Sequence, residues 1–258
     1  MKETMATDTA IHFKDSSHEA LYELEAGSFW FRARNRLLLW AMDTYAPASA
    51  ERYLELGCGN GFVLSAIERH FPNWSLVGSE PLAAGLDRAR TRVERAELLA
   101  LDARHLPYES AFDVIGSFDV LEHIVEDEAV LAEIHKALKP GGVVFLTVPQ
   151  HAFLWSPADD YAEHVRRYAA PDLHAKLARA GFTLRRSTSF VSVLLPMMLA
   201  SRLVRRIRPA DHDPEAELRI SPVLDRAFEL AMRFEQAWIR RGVSLPAGGS
   251  LLVVAEKA

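Results

Sequence analysis

Glycine and acidic residues recur along the first half of the chain, each directly after a short apolar run. The glycines form Gly57-x-Gly59-x-Gly61, and Glu55 lies two positions before them. Glycines in such a loop let a ligand approach the backbone closely, and the start of the following helix offers free N–H groups. A carboxylate at position 55 suits a ligand that carries an ammonium group, and is a poor neighbour for a pyrophosphate.

The spacing of the glycines also argues against a dinucleotide as the ligand. The dinucleotide fingerprint requires G-x-G-x-x-G, whereas position 62 here is Phe. The chain also contains no Tyr-x-x-x-Lys pair that could serve a hydride-transfer site. A nicotinamide-dependent oxidoreductase is therefore the less favoured alternative.

Two more carboxylates follow apolar runs at similar intervals. Glu80 closes the second run, where a carboxylate can accept hydrogen bonds from both hydroxyls of a ribose. Asp102 closes the third, where it can accept from an exocyclic amine. Each also has a purely structural interpretation, because Glu80 can cap the helix that begins at Pro81 and Asp102 can be a turn residue.

The elements that must position these residues alternate between strands and helices. Strands are predicted at 53–56, 74–78, 96–101, 113–118, 143–148, 182–187 and 251–255. Helices are predicted at 18–45, 62–70, 81–93, 126–138 and 171–180, and a long helical stretch at 190–242. Apolar strands that alternate with helices indicate a parallel sheet covered on both faces, which makes the chain an α/β protein.

These motifs together resemble those of the class I S-adenosylmethionine-dependent methyltransferases, most closely the small-molecule and lipid branch of types 11 and 23. The segments that carry the resemblance are 55–61, 77–80, 101–103, 112–123 and 138–142. The resemblance implies a Rossmann-like, doubly wound, mostly parallel sheet of seven strands with an antiparallel last strand. The resemblance covers about residues 50–190, and the insertion before the last strand departs from the minimal family fold. The layout of the chain predicts a single domain over 1–258, with an N-terminal helical cover at 18–45, a core at 50–190, a helical insertion at 190–242 and a last strand at 251–255.

The same resemblance implies S-adenosylmethionine as the cofactor and a role for each motif residue. Glu55 and the glycine loop would bind the methionine part, Glu80 the ribose, and Asp102 with Ala103 the adenine. Phe118 would lie close to the sulfonium. Apart from the resemblance, Arg34 is predicted to lie near the cofactor carboxylate if the N-terminal segment forms a lid. The full predicted cofactor-binding set is Arg34, Glu55, Gly57, Cys58, Gly59, Gly61, Glu80, Pro81, Leu82, Asp102, Ala103 and Phe118.

Candidate catalytic residues follow the fourth and fifth strands: His123, His164 and Tyr168. Methyl transfer needs a base only if the acceptor loses a proton, and histidine is suited to that near neutral pH. The alternatives are that His123 holds the loop after it, and that the segment 164–168 packs at the edge of the domain.

Three consecutive aromatic residues, Phe29, Trp30 and Phe31, lie in the predicted N-terminal cover. They cannot all face one side of a helix. Either two of them pack on the sheet domain and one stays partly exposed, or the segment forms a lid over the cofactor.

Composition and charge argue against several other classes of protein. The net charge of −5 argues against a dedicated nucleic-acid binder, and the lone Cys58 cannot form an internal disulfide or a multi-thiolate zinc site, so no metal is predicted. The N-terminus lacks the apolar region of a secretory signal, and the longest apolar run, 190–200, is too short to span a bilayer. We therefore expect a cytoplasmic protein.

A basic, apolar segment stands out against this acidic average. Positions 173–210 contain no Asp or Glu but 8 Lys and Arg. The part at 190–208 is typical of a membrane-surface element or a groove for a lipid-like acceptor, although a helical cap on the domain is an alternative. A second helix at 222–241, with a stripe of Leu224, Phe228, Ala231, Phe234 and Trp238, is predicted to pack in a core or an interface. A homodimer is possible through either helix.

The sequence thus favours methyl transfer to a small-molecule or lipid-linked acceptor. A non-catalytic module that binds S-adenosylmethionine is the main alternative, because the binding residues would look alike.

Overall fold

The computed structural model describes Tyr22, residues 24–207 and residues 220–258. Its strands are β1 (Arg52–Leu56), β2 (Ser75–Ser79), β3 (Glu97–Leu99), β4 (Phe112–Phe118), β5 (Leu138–Pro149), β6 (Phe182–Phe190) and β7 (Ser250–Lys257). Its helices are α1 (Phe29–Tyr45), α2 (Phe62–His70), α3 (Ala83–Arg92), α4 (Asp127–Ala137), α5 (Pro157–Tyr161), α6 (Ala170–Arg179), α7 (Leu195–Ile207) and α8 (Pro222–Arg240). No helix in these ranges is long and apolar enough to cross a membrane.

The strands form one seven-stranded sheet in the order β3-β2-β1-β4-β5-β7-β6. β1 to β5 pair in parallel, whereas β7 is antiparallel to both β5 and β6. This confirms the predicted Rossmann-like sheet with an antiparallel last strand. Because β1 to β4 are parallel, the acidic residues that follow them meet at one edge of the sheet.

Each face of the sheet is covered by its own helices. On one face, α4 and α6 bury Leu131 and Leu177 against Val144 and Val253. On the other face, α1, α2 and α8 bury Leu38, Leu64 and Ile239 against the remaining side chains of the same strands. Successive strand residues point to opposite faces, so both faces of the central strands are apolar.

The segment Lys139-Pro140-Gly141-Gly142 was predicted to end a helix and precede a strand. The helix α4 does end at Ala137, but β5 begins at Leu138 and runs through this segment, five residues earlier than the predicted start at 143. The register of β4 against β5 shifts beside it, between Phe112 and Val114. Leu138 and Val143 pair with β4 on either side of the segment, so residues 139–142, with φ of 75° at Gly141, form a bulge in β5 that keeps the local preference of Pro and Gly for a bend.

The helical insertion is confirmed as two helices, α7 and α8, between β6 and β7; its part at 208–219 lies outside the described residues, as does 18–21 of the cover. Ion pairs tie α8 to α1, from Arg32 to Asp225 and from Arg36 to Glu229 at 2.5 Å. Gln236 Nε2 also donates to the Ala33 carbonyl at 2.7 Å. The cover and the insertion, nearly 200 residues apart in sequence, therefore form one layer.

Candidate functional site

A cavity of about 1000 Å³ opens at the edge of the sheet where β1, β2 and β4 end. Its walls come from these strand ends, from α1, and from α7 and α8. The lining contains the predicted cofactor residues Arg34, Glu55, Gly57, Cys58, Gly59, Glu80, Pro81, Leu82, Asp102, Ala103 and Phe118. It also contains His123 and His164, but neither Gly61 nor Tyr168.

The glycine loop turns through left-handed backbone conformations, with φ of 65° at Gly57 and 50° at Gly59. A Cβ on Gly57 would lie 2.5 Å from Val120 Cγ2, so a side chain cannot be accommodated there without a shift. The loop backbone is therefore held against the residues that follow β4, and its glycines are needed for conformation and for space.

Gly61 lies outside the cavity lining, unlike the other two glycines, and its predicted cofactor contact stays a prediction. It precedes α2 with φ of 74°, and a Cβ there would lie 3.1 Å from the Cα of Ala89 on α3. The third glycine thus permits close packing of two helices and lies outside the cavity lining. Cys58 does line the cavity, but burial raises the pKa of its thiol well above the usual value, which leaves it a poor nucleophile.

Glu55 is the most deeply buried carboxyl group among the strand-end acids that line the cavity, with 2% of its surface exposed. Burial raises its pKa to about 8, against the opposing effects of a hydrogen bond from Tyr53 and the charge of Arg34. Tyr53 Oη donates to Glu55 Oε2 at 3.1 Å. A carboxyl group in such a site becomes ionised when a cationic ligand binds next to it.

Glu80 connects the glycine loop to the residue that precedes α3. One carboxylate oxygen accepts from Gly59 N at 3.1 Å and the other from Leu82 N at 3.0 Å. The predicted helix cap is not formed, because α3 begins at Ala83 rather than Pro81 and Glu80 bonds to the N–H of Leu82, the residue before the helix. A carboxylate oxygen has more than one lone pair, so these bonds leave capacity to accept from a diol.

Asp102 is both a turn residue and a cavity residue. Hydrogen bonds from the Arg104 side chain lower its pKa, which keeps it ionised at neutral pH. Arg104 Nη2 lies 2.7 Å from Asp102 Oδ2, and the Arg104 backbone N donates to the other oxygen at 2.9 Å. Ala103 and Leu82 line the cavity beside it.

Arg34 lies in the cavity wall but is paired with a protein carboxylate. Its guanidinium bonds to Asp119, which follows β4, and lies 4.5 Å from the centre of the Trp30 ring. Asp119 was missed as a site residue, although it belongs to the quoted motif 112–123. The predicted contact of Arg34 with a cofactor carboxylate stays a prediction.

The three N-terminal aromatics all line the cavity, and Phe31 is buried. Trp30 and Phe31 meet edge to face at 4.8 Å, and Phe31 packs on Phe62 at 5.9 Å. They form a side wall of the cavity, which is closer to the predicted lid than to packing on the sheet alone.

A second group of polar residues lies at the other end of the cavity. His164 Nδ1 lies 2.8 Å from Asp159 Oδ1, and Arg167 Nε donates to the same oxygen at 2.7 Å. Burial alone would raise the pKa of Asp159, but these hydrogen bonds outweigh it and lower the pKa to about 2. An ionised Asp159 requires a proton on His164 Nδ1, so Nε2 of a neutral ring carries the lone pair.

Glu122 lies beside this histidine and was also missed as a site residue. It has no exposed surface, and within the described part of the chain neither carboxyl oxygen has a hydrogen-bond partner. Burial, with a contribution from the charge of Asp119, raises its pKa well above the usual range, which favours the protonated form. A protonated carboxyl group facing the cavity can donate a hydrogen bond to a ligand oxygen.

Ligand atoms of Glu122, His123 and His164 lie within 4.8 Å of one another, which bears on the prediction of no metal. His164 Nε2 is 4.0 Å from Glu122 Oε1. Tetrahedral coordination at about 2.1 Å would bring such ligand atoms to about 3.4 Å from each other. A tetrahedral ion would therefore require Glu122 and His164 to move closer together, and the prediction of no metal stays a prediction.

Tyr168 is not a cavity residue, which corrects its predicted catalytic role. It is 1% exposed, and its hydroxyl donates to Asp127 Oδ2 at 2.7 Å. Burial and the Asp127 carboxylate raise its pKa far above the usual value. Since the hydroxyl group stays protonated and faces the core, it is a structural anchor for the loop that carries His164.

Apolar side chains of the insertion close the cavity from above. They come from the residues before and within α7 and from α8: Leu194, Met197, Met198, Leu224 and Phe228. The segment at 190–208 therefore contributes part of an apolar cavity wall, and these five side chains are called the roof below. The predicted membrane contact of this segment falls partly outside the described side chains, which end at residue 203, and it stays a prediction.

Comparison with known proteins agrees with this geometry. Residues 22–187, well over half of the chain, match the family model described as "Methyltransferase domain". The chain is 28% identical to the ubiquinone biosynthesis O-methyltransferase of Pseudomonas aeruginosa over 52% of its length and 62% of that protein. It is 26% identical to a probable S-adenosylmethionine-dependent methyltransferase of Mycobacterium tuberculosis over 62% of its length. The alignment spans 58% of that relative, so each match covers under two thirds of the curated protein.

A solved structure supports the fold alone. The phosphoethanolamine N-methyltransferase 2 of Haemonchus contortus, in complex with phosphomonomethylethanolamine and S-adenosylhomocysteine, superposes with a TM-score of 0.61 at 18% identity. The superposition covers 95% of this chain and 57% of that one. With the glycine loop, the strand-end carboxylates and the family match together, the chain belongs to the S-adenosylmethionine-dependent methyltransferase family.

Proposed function

We propose that this protein transfers a methyl group from S-adenosylmethionine to a hydroxyl group of a small, largely apolar or lipid-linked acceptor. The observation that carries the proposal is the division of the cavity into an acidic end at Glu55, Glu80 and Asp102 and an apolar, histidine-bearing end under α7 and α8. The printed name of the Pseudomonas aeruginosa relative, an O-methyltransferase of ubiquinone biosynthesis, supports the same acceptor class.

The residues at the acidic end fit the cofactor. The cofactor, when bound, supplies a methyl group already activated on a positively charged sulfur. Glu55 would hold its ammonium group, Glu80 its ribose hydroxyls, and Asp102 with the Ala103 N–H its adenine edge. The protein's contribution is position and exclusion of water, because an activated methyl group needs an in-line nucleophile and little else.

The residues at the other end would prepare the acceptor. His164, held by the ionised Asp159, would accept the hydroxyl proton at Nε2. Glu122, in its favoured protonated form and without a described partner, would donate to an acceptor oxygen. His123, whose ring meets that of His164 edge to face at 4.7 Å, would line the same space.

A transfer assay with paired acceptors tests the proposal. We expect methyl label to pass from S-adenosylmethionine to a phenol that bears a long alkyl chain at least tenfold more efficiently than to the same phenol without it, because each buried methylene contributes about 0.8 kcal/mol. Met197→Asp, in the cavity lining, should raise the KM of the long-chain phenol, whereas Leu199→Asp, on the same helix and similarly exposed but outside the lining, should not.

Tight cofactor binding without transfer to any phenol, alcohol or amine would contradict the proposal and favour the non-catalytic module. Transfer to both phenols at equal efficiency would retain the enzyme but reject the lipid-linked acceptor. Location in the cytoplasm or at the inner face of a membrane, and a homodimer, remain predictions.

A further inference from the structure

The outward side of α8 carries two parallel stripes of side chains. The first is apolar and exposed: Val223 (76%), Leu230 (67%), Phe234 (60%) and Trp238 (49%). The second consists of arginines at seven-residue spacing: Arg226, Arg233 and Arg240. Residues seven apart lie nearly above one another on a helix, so the two stripes run side by side along its whole length.

Phe234 and Trp238 were predicted to pack in a core or an interface together with Leu224 and Phe228. The structure separates them, because Leu224 and Phe228 line the cavity while Phe234 and Trp238 face away from it. Four large, exposed apolar side chains on one helix face form a contiguous patch, and such patches mark surfaces that bind a partner or a membrane.

Asp225 and Glu235 of α8 point inward, whereas Glu229 lies between Arg36 and Arg233 and offsets part of their charge. Asp225 binds Arg32, and Glu229 binds Arg36 and also contacts Arg233. Glu235 is buried, and its carboxylate accepts from the backbone N–H groups of residues 191–193 at 2.6–2.8 Å. The outward arc therefore presents positive charge beside its apolar stripe.

A small cleft adds an anion site to this arc. It is lined by Arg36, Arg233, Gln236 and Arg240 and has a volume of about 250 Å³. Arg36 Nη2 is buried and has no hydrogen-bond partner among the described residues. Guanidinium groups converging on a cleft suit a phosphate oxygen, which accepts from two N–H groups at once.

We propose that α8 docks this protein on the surface of an anionic lipid bilayer. Phe234, Trp238 and Leu230 enter the interfacial layer, and the arginine-lined cleft takes a lipid phosphate. Aromatic side chains favour the bilayer interface, and arginines near it gain from anionic headgroups. A second copy of the chain fits less well, since antiparallel pairing through this face would set the arginine stripes against each other.

The docking has a consequence for the site that rests on the proposed function. Because the opposite side of α8 lines the cavity through Leu224 and Phe228, a docked molecule holds its cavity close to the bilayer. A lipid-linked acceptor could then enter under the roof without leaving the membrane. The docking itself requires no methyl transfer and is tested without it.

Sedimentation with vesicles tests the proposal on the full-length chain. We expect binding to vesicles of phosphatidylcholine and phosphatidylglycerol at low salt, and roughly tenfold weaker binding to pure phosphatidylcholine or at high salt. Phe234→Ser with Trp238→Ser should weaken binding at least tenfold, and Arg233→Glu with Arg240→Glu should do the same. Phe153→Ser and Arg179→Glu, which change comparably exposed side chains elsewhere, should leave it unchanged.

Calorimetry with S-adenosylmethionine on the same preparations shows that each variant is folded and keeps the two proposals separate. Intact cofactor binding without vesicle binding would overturn the docking alone, and vesicle binding without methyl transfer would overturn the proposed function alone. A concentration-dependent dimer that Trp238→Ser abolishes, in a protein that ignores vesicles, would identify the face as an interface between copies. Millimolar inorganic phosphate that fully displaces the vesicles would show an anion site without membrane insertion.

Discussion

The two ends of the cavity are built in different ways. At the acidic end, Glu55, Glu80 and Asp102 each lie within three residues of a strand end. At the apolar end, the lining comes from α1, from the loop that carries His164, and from α7 and α8, which are up to 200 residues apart in sequence. Tight turns fix the first group relative to the sheet, whereas tertiary packing alone brings the second group together.

Under the proposed function, this difference separates binding of the cofactor from binding of the acceptor. The acidic end depends on backbone geometry that any chain with the same turns would share. The apolar end depends on helices that are joined to each other by ion pairs, such as Arg36 with Glu229, and to the sheet by packing of apolar side chains. Variants at the two ends should therefore affect different measurable constants.

The largest expected effect is at the acceptor end. His164→Gln should lower kcat roughly 10²- to 10³-fold, because glutamine cannot accept the acceptor's proton. The dissociation constant of the cofactor should stay unchanged. Turnover and calorimetry measure the two effects, and His174→Gln, whose imidazole bonds to Ser187, is the matched control. Unchanged turnover in His164→Gln would mean that the acceptor gives up no proton there.

At the cofactor end the effect should fall on affinity. Glu80→Ala removes the acceptor of two backbone N–H groups and of the proposed ribose bonds, so the dissociation constant of the cofactor should rise roughly 100-fold. Glu97→Ala, in β3 and exposed, should change it little. Equal affinities of the two variants by calorimetry would remove Glu80 from the site.

A smaller effect is expected in the pH dependence of cofactor affinity at the acidic end of the cavity. With a pKa of about 8, Glu55 is protonated in about nine of ten molecules at pH 7. A ligand ammonium group requires the ionised form, so binding should release a proton and affinity should rise between pH 6 and pH 8. Calorimetry in buffers of different ionisation enthalpy measures the release, which Glu55→Gln should abolish.

The same carboxyl group should influence folding. Its pKa in the folded protein is raised above the ordinary value of 4.5, so its contribution to stability is complete below that pH and is lost as the pH rises through 8. Urea denaturation of the cofactor-free protein should therefore show a decline over this range that Glu55→Gln reduces. A decline that persists in Glu55→Gln would place its origin in other groups.

The smallest effect concerns Tyr168. Tyr168→Phe removes the hydrogen bond to Asp127 and should lower the free energy of unfolding by about 1 kcal/mol, with kcat nearly unchanged. Urea denaturation measures the free energy of unfolding, and a turnover assay measures kcat. A more than tenfold loss of turnover at unchanged stability would restore the catalytic role that the sequence predicted.

Local residue types predicted the sheet and the acidic end well, because a strand, a glycine turn and a following carboxylate are contiguous signals. They did not predict the position of Gly61 outside the cavity lining or the burial of Tyr168, where the cause lies far away in the chain. Gly61 is small because Ala89 lies against it, and Tyr168 is buried because its ring packs in the core, where Asp127 accepts from its hydroxyl group. The sequence did not mark Glu122 as a site residue, because its pKa is raised mainly by burial, which exists only in the folded protein.

The sequence by itself determined the order of strands and helices, the glycine loop and the carboxylates that follow the strands. These features depend on hydrophobic periodicity and on backbone conformations that nearby residues impose. Tertiary structure decided which side of α8 faces the cavity and which faces out, and it placed His164 between Asp159 and Glu122. The physical reason is that burial and charge pairing arise from contacts between distant segments, and these contacts form only when the sheet has brought both ends of the chain to one edge.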